Sequence, residues 1–223
     1  MTAMPHRSQD EWLQILKDAP SGIIPGNPEE VLRQADIIKL WFTREKVVQE
    51  DGRVLDLGCG TGRLAIALSD FPITYVGLYV ASSCIEFCQR SFAPWTNFSF
   101  VHHDVRNNCY NPNGLIEPST ATLPFPSKEF DSVAAISVFT HIGSAQARDR
   151  HLKEIHRVLR PGGHFFCTWF RSPPNVVTGD ENRAVFPEQE ILNSIRNFRV
   201  LHEEGGNTTE YHDQWSMHLQ SKE

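Results

Sequence analysis

The chain has 223 residues, 40% of them hydrophobic, and a formal net charge of -6 from 21 basic and 27 acidic side chains. This fits one globular domain with its own core and excludes a disordered or fibrous chain. The acidic balance speaks against a nucleic-acid backbone as partner, and no run of about 18 apolar residues is present to span a bilayer.

The N-terminus carries no apolar core segment, so no signal peptide is expected. Five cysteines, Cys59, Cys84, Cys88, Cys109 and Cys167, form no framework spacing, and a reducing, cytoplasmic setting is the expectation. Cys84 and Cys88 lie four apart on an expected helix. Two thiols do not close a metal site, so they read as small apolar fillers on its buried face, and no metal is expected.

Trp12, Leu13, Ile15 and Leu16 suggest a short amphipathic helix, which Pro20, Gly22, Pro25, Gly26 and Pro28 then break. Residues 1–28 read either as a lid over a site or as a surface helix or tail, and 29–223 as a single domain. Residues 29–49 read as a helix, with Val31, Leu32, Ala35, Ile38 and Leu40 on its period. Strands are expected at 53–57, 73–78, 98–103, 130–136 and 163–169, and helices at 62–70, 81–92, 144–159 and 187–196. That alternation predicts an α/β fold, a doubly wound sheet, mostly parallel, with helices on both faces. Two last strands, near 198–204 and 213–220, flank Gly205-Gly206-Asn207, which suits a hairpin and makes the last strand antiparallel.

Residues 105–125 have neither period and are rich in Asn, Pro and Gly. They leave the carboxyl edge of the sheet, where ligands bind in doubly wound folds, and read as a substrate-shaping loop in preference to a floppy insertion. Arg148, Arg150 and Arg157 read as a solvated helix face.

The most informative stretch is Val54-Leu55-Asp56-Leu57-Gly58-Cys59-Gly60-Thr61-Gly62-Arg63. A buried strand, a bare glycine turn and a helix bring a backbone against a nucleoside ligand. A nicotinamide fingerprint needs Gly-x-Gly-x-x-Gly, and here Arg63 stands in the place of its third glycine. A phosphate loop needs Gly-Lys-Ser/Thr, which is absent. The Asp-x-Gly-x-Gly-x-Gly pattern resembles the first motif of class I S-adenosylmethionine-dependent methyltransferases. The later segments Phe100–Val105, Leu123-Pro124-Phe125, Phe130-Asp131 and Leu159-Arg160-Pro161-Gly162-Gly163 resemble the same family.

The resemblance implies a Rossmann-like sheet of seven strands with the seventh between the fifth and sixth. It implies methyl transfer from S-adenosylmethionine, leaving S-adenosylhomocysteine, to a small-molecule acceptor through O, N or C. Asp56, Gly58, Cys59, Gly60 and Gly62, with Arg63 after them, would lie along the methionine part of the cofactor. Tyr79 and Val80 would touch the ribose, and Asp104 and Val105 the adenine. Ser137 would lie beside the cofactor and His141 where donor and acceptor meet. A monomer or homodimer, with no nucleic-acid or membrane partner, is the expectation.

Tyr79 departs from the family pattern, which has an acid there to accept from both ribose hydroxyls. Three readings stand: a weaker but ordinary cofactor site, a site for a modified sulfonium cofactor or another transferred group, or a non-catalytic binding protein. His141 reads as a general base, since an imidazole titrates near 6.5, or as a residue that caps a helix or shapes the pocket. Histidines 102 and 103 point to opposite sides of a strand and read as structural. Trp169 reads as an acceptor-site wall or as core.

Overall fold

The computed structural model describes residues 5–20, 27–172, 184–205 and 214–222. Helix α1 (Gln9–Leu16) opens with a reciprocal cap, in which Ser8 accepts from the Glu11 amide and Glu11 from the Ser8 amide. Its buried residues are Trp12 and Leu16, and Trp12 stacks on Trp95. Helix α2 (Pro28–Arg44) starts at Asn27, whose side-chain oxygen accepts from the Glu30 amide at 2.9 Å. Pro28, read as a breaker, opens this helix, because a first-turn proline loses no helical hydrogen bond. The helix also ends five residues before the expected position 49.

Then β1 (Arg53–Leu57), α3 (Arg63–Leu68), β2 (Thr74–Tyr79), α4 (Ser82–Ser91), β3 (Phe98–His102) and β4 (Phe130–Ala135) follow. After these come α5 (Ala145–Val158), β5 (Leu159–Ser172), β6 (Val185–Pro187), α6 (Glu188–Ser194), β7 (Phe198–Glu204) and β8 (Gln214–Ser221). The sheet order is β3-β2-β1-β4-β5-β8-β7, with β6 paired to β5. The last strand therefore lies between β5 and β7, antiparallel to both, as the family resemblance implied. Gly206 and Asn207 of the expected hairpin turn lie outside the described residues.

Two strand readings need correction. β6 was not expected, because three residues leave no period. β5 begins directly where α5 ends, so Pro161 and Gly162 lie inside a strand. The pairing of β4 with β5 shifts register there, a bulge that accommodates a proline and a glycine at φ +75°.

Alternate residues of the central strands feed two cores. Val54, Tyr75, Phe98, Phe100 and Phe166 pack with α1, α2, α3 and α4. Leu55, Leu57, Val76, Val133, Phe165 and Trp169 pack with α5 and α6. Cys84 and Cys88 are buried fillers on α4. The arginines of α5 are not a solvated face. Arg148 is 3% exposed, ion-paired to Glu190 at 2.6 Å and laid over the Phe186 ring. Arg150 and Arg157 donate to backbone carbonyls of residues 121–125. A charged helix face and a loop that needs hydrogen-bond donors cannot be matched from the pattern of one helix alone.

His164 and His218 stack across β5 and β8, with His164 Nδ1 2.8 Å from His218 Nε2. His202 stands opposite His218 on β7, 3.9 Å from Glu45 at the end of α2. Burial, and then the neighbouring His164, push the His218 imidazole down to about 4, and burial lowers His164. The fold thus holds a neutral ring that the unfolded chain protonates below about 6.5. The contribution of this pair to stability is complete above that pH and is lost progressively down to about 4. Urea midpoints at pH 7.5 and 5 should therefore differ less in His218→Gln than in the parent, because the amide keeps a polar partner and does not titrate. Equal differences in both proteins would show that the pair does not set this slope.

Candidate active site

The carboxyl ends of β1, β2, β3 and β4 bring four segments to one edge of the sheet. The amides of Gly58 and Cys59 both donate to the Leu78 carbonyl, at 2.8 and 3.1 Å, which folds the glycine turn across the end of β2. Gly58 has φ +88°, and a Cβ there would lie 2.5 Å from Val138 Cγ2, so the turn also sits close against the end of β4. A Cβ on Gly60 would meet nothing within 4 Å, so this part of the turn faces open space.

Asp56 lies beneath the turn, 3% exposed, and accepts from the Tyr75 hydroxyl at 2.5 Å. Burial pushes its carboxyl up to about 6, and the bond from Tyr75 and the charge of Arg63 oppose that shift. The Arg63 guanidinium itself donates to Gln34 of α2 at 2.5 Å. Cys59 is buried, and its thiol is raised chiefly by burial, with Cys88 beside it.

Tyr79 ends β2 and is half-buried, its ring 6.0 Å from that of Tyr110. Burial, then Tyr110, raises its phenol, which is therefore neutral. The Val80 carbonyl lies 2.9 Å from His102 Nε2. His103 is buried on the other side of the chain, and burial lowers its imidazole. Both oxygens of Asp104 are engaged by its own loop, one by Asn111 Nδ2 at 2.8 Å and one by the Leu115 amide at 3.3 Å. The bond from Asn111 comes first in holding this carboxyl below its ordinary range. The Val105 amide donates to the His103 carbonyl at 2.6 Å.

Ser137 follows β4 at φ +60°, a left-handed backbone that is uncommon outside glycine. Its amide donates to Thr168 Oγ1 at 2.8 Å, and its hydroxyl lies within 3.4 Å of the Gln214 amide group. β5 and β8 thereby hold the strained residue. One short turn, Phe139–His141, then places His141 at the edge. Trp169 is 0% exposed and stacks on Phe139 at 4.2 Å, so it is core.

Residues 105–125 are a built loop. Val105 bridges Ile116, and Asn107 and Asn111 exchange both backbone hydrogen bonds. The Leu123 amide donates to buried Glu154 of α5 at 2.9 Å. The loop carries Tyr110 to His141, with the phenol oxygen 3.4 Å from Nε2, and Asn107 Nδ2 to the His141 carbonyl, also at 3.4 Å. Sequence reasoning missed Tyr75, Tyr110, Asn107 and Val138. Tyr75 alternates with apolar strand positions and looks like core. Tyr110 and Asn107 lie in a segment with no period to orient them.

The profile of the methyltransferase domain family matches residues 55–167, half of the chain. A fatty-acid O-methyltransferase of Mycolicibacterium smegmatis is 31% identical over 83% of this chain. A phthiotriol/phenolphthiotriol dimycocerosates methyltransferase of Mycobacterium tuberculosis is 27% identical over 75%. The chain spans 61% and 56% of the length of these two relatives. Among solved structures, an S-adenosylmethionine-dependent methyltransferase of Methanosarcina mazei superposes with a TM-score of 0.62 at 17% identity, over 81% of this chain and 97% of its own. The [4+2]-cyclase SpnF superposes with a TM-score of 0.64 at 18% identity, over 84% of this chain and 80% of its own.

Proposed function

Since this chain belongs to the methyltransferase domain family, we propose that it is a class I S-adenosylmethionine-dependent enzyme that methylates a small acceptor with an aliphatic body, at oxygen. The observation that carries this reading is the open face of the glycine turn at Gly60, on the same sheet edge as Tyr79, Asp104, Ser137 and His141. A cradle with no side chain over it fits the methionine part of an adenosyl cofactor. The names of the relatives favour a lipid-like acceptor.

When bound, the cofactor supplies a methyl group on a sulfonium. Gly60 would present bare backbone to it, while Gly58 and Gly62 let the turn close against Val138 and Phe92, with Asp56 and Cys59 beside it and Arg63 opening the helix that follows. The Tyr79 phenol would offer one hydrogen bond to a ribose hydroxyl where an acid would offer two, with Val80 beside it. Asp104 and Val105 line the adenine side, and Ser137 lines the transfer site. His141 faces the acceptor. The methyl would pass to the acceptor oxygen held before His141, with S-adenosylhomocysteine as the product. A hydroxyl acceptor passes its proton to the His141 imidazole, and a carboxylate acceptor has none to pass. In-line holding of donor and acceptor supplies much of the rate. The acceptor is not a nucleic acid, and the working unit is a monomer or homodimer. No helix among the described residues is long and apolar enough to cross a membrane.

Calorimetric titration with S-adenosylmethionine and S-adenosylhomocysteine should give micromolar binding of both. Methyl-labelled S-adenosylmethionine should then label palmitate. Failure of both ligands to bind would overturn the reading. The missing acid at Tyr79 favours one second reading, a modified cofactor or another transferred group. A product mass other than one added methyl would establish it.

A further inference from the structure

Tyr110 enters the site from the loop, whereas the other site residues sit on strand ends and the turns that follow them. Its hydroxyl lies 3.4 Å from His141 Nε2, and its ring meets the imidazole edge-on, centroids 5.2 Å apart at 79°. Its other side faces Tyr79. The Tyr110 amide donates to Asn107 Oδ1 at 3.1 Å, while Asn107 Nδ2 donates to the His141 carbonyl at 3.4 Å. One asparagine therefore fixes the backbone of the tyrosine and meets the backbone of the histidine that the tyrosine touches.

We propose that Tyr110 is a positioning residue, whose hydroxyl and ring hold the His141 imidazole in the orientation it presents to the acceptor. The proposal rests on the reading of His141 as the acceptor-facing group. A neutral imidazole has one donor and one acceptor nitrogen. The phenol can donate to Nε2 or accept from it, so the contact holds the orientation of the ring and does not by itself choose the tautomer. Burial raises the Tyr110 phenol, so it keeps its proton through neutral pH and is present as a hydroxyl throughout turnover. A separation of 3.4 Å is long for such a bond, and bonds of this kind shorten when a site closes on its substrate.

The test compares Tyr110→Phe and Tyr110→Ala with the parent enzyme. Phenylalanine keeps the ring against Tyr79 and His141 and removes only the hydroxyl. The ring-proton titration of His141 is followed by NMR, with its signal assigned by loss in His141→Gln. In Tyr110→Phe the midpoint should move by about half a pH unit or more. The rate kcat with a long-chain alcohol, an acceptor that has a proton to pass, should fall about tenfold, the worth of one such hydrogen bond, and its acid limb should move with the NMR midpoint. Calorimetric affinity for S-adenosylmethionine should stay within about threefold, because the ring contact persists. Tyr110→Ala, without the ring, should lose affinity as well as rate. An unchanged midpoint and pH profile in Tyr110→Phe would overturn the proposal even if the rate fell. A moved midpoint in a protein that binds no S-adenosylmethionine would leave the contact real and overturn its role in methyl transfer, a failure of the underlying function and not of the Tyr110–His141 pairing.

Discussion

Replacing Gly60 with valine is expected to abolish binding of S-adenosylmethionine while the domain stays folded. Gly60 adopts φ +52°, where a side chain costs about 1–3 kcal/mol of backbone strain, at the upper end for a β-branched residue. A Cβ there meets no protein atom within 4 Å, so no clash within the protein adds to that cost. For a domain of this size the thermal midpoint should fall by roughly 2–12 °C. The valine carbons occupy the open face of the turn, and affinity should fall at least about a hundredfold, equivalent to about 2.7 kcal/mol. Gly58→Ala is the contrast, because its new Cβ would meet Val138 Cγ2 at 2.5 Å and disturb the packing of the turn itself. That variant should lose stability and affinity together. Calorimetry and thermal unfolding on both variants separate the two effects. Parent-like affinity in Gly60→Val would place the cofactor elsewhere and remove the main support for the proposed site.

Tyr79→Asp should act in the opposite direction and tighten binding of the same ligand ten- to a hundredfold. A carboxylate accepts from two vicinal hydroxyls at once, and a charge-assisted hydrogen bond contributes about 1.5–3 kcal/mol, or one to two decades of affinity. The phenol it replaces is kept neutral by burial and offers one weaker bond. Tyr79→Asn removes the ring without adding charge. Its affinity should lie below that of the aspartate variant, which isolates the charge from the lost contact with Tyr110. Weaker binding in Tyr79→Asp than in the parent would mean that the tyrosine recognises its ligand in its own right. The modified-cofactor reading would then move ahead.

The alternation of strands and helices, the open glycine turn and the antiparallel last strand were legible from residue order. Each rests on a local rule: period two or 3.6, a missing Cβ, or a breaker between elements. The same rules misplaced Pro28 and the start of β5, where a neighbouring element decided what a proline or glycine does. At the proposed site, Asp56, Gly58, Gly60, Tyr79, Ser137 and His141 are nominated by their place in or beside a family motif. Their partners are not, because Tyr75, Val138, Thr168 and Gln214 come from other strands or the chain beyond them, and Tyr110 from a loop.

Residue order alone set the layer architecture and the backbone shape of the turn, because these follow from short-range sterics and hydrophobic spacing, while the family rested on the resemblance of its motifs. Only the tertiary structure decided that Asp56 is sealed under the turn by Tyr75, that Arg148 is buried, that Trp169 is core and that Tyr110 reaches His141. Those contacts join residues up to 42 positions apart along the chain, as Arg148 and Glu190 are, and no local period encodes which side chains meet when the sheet closes.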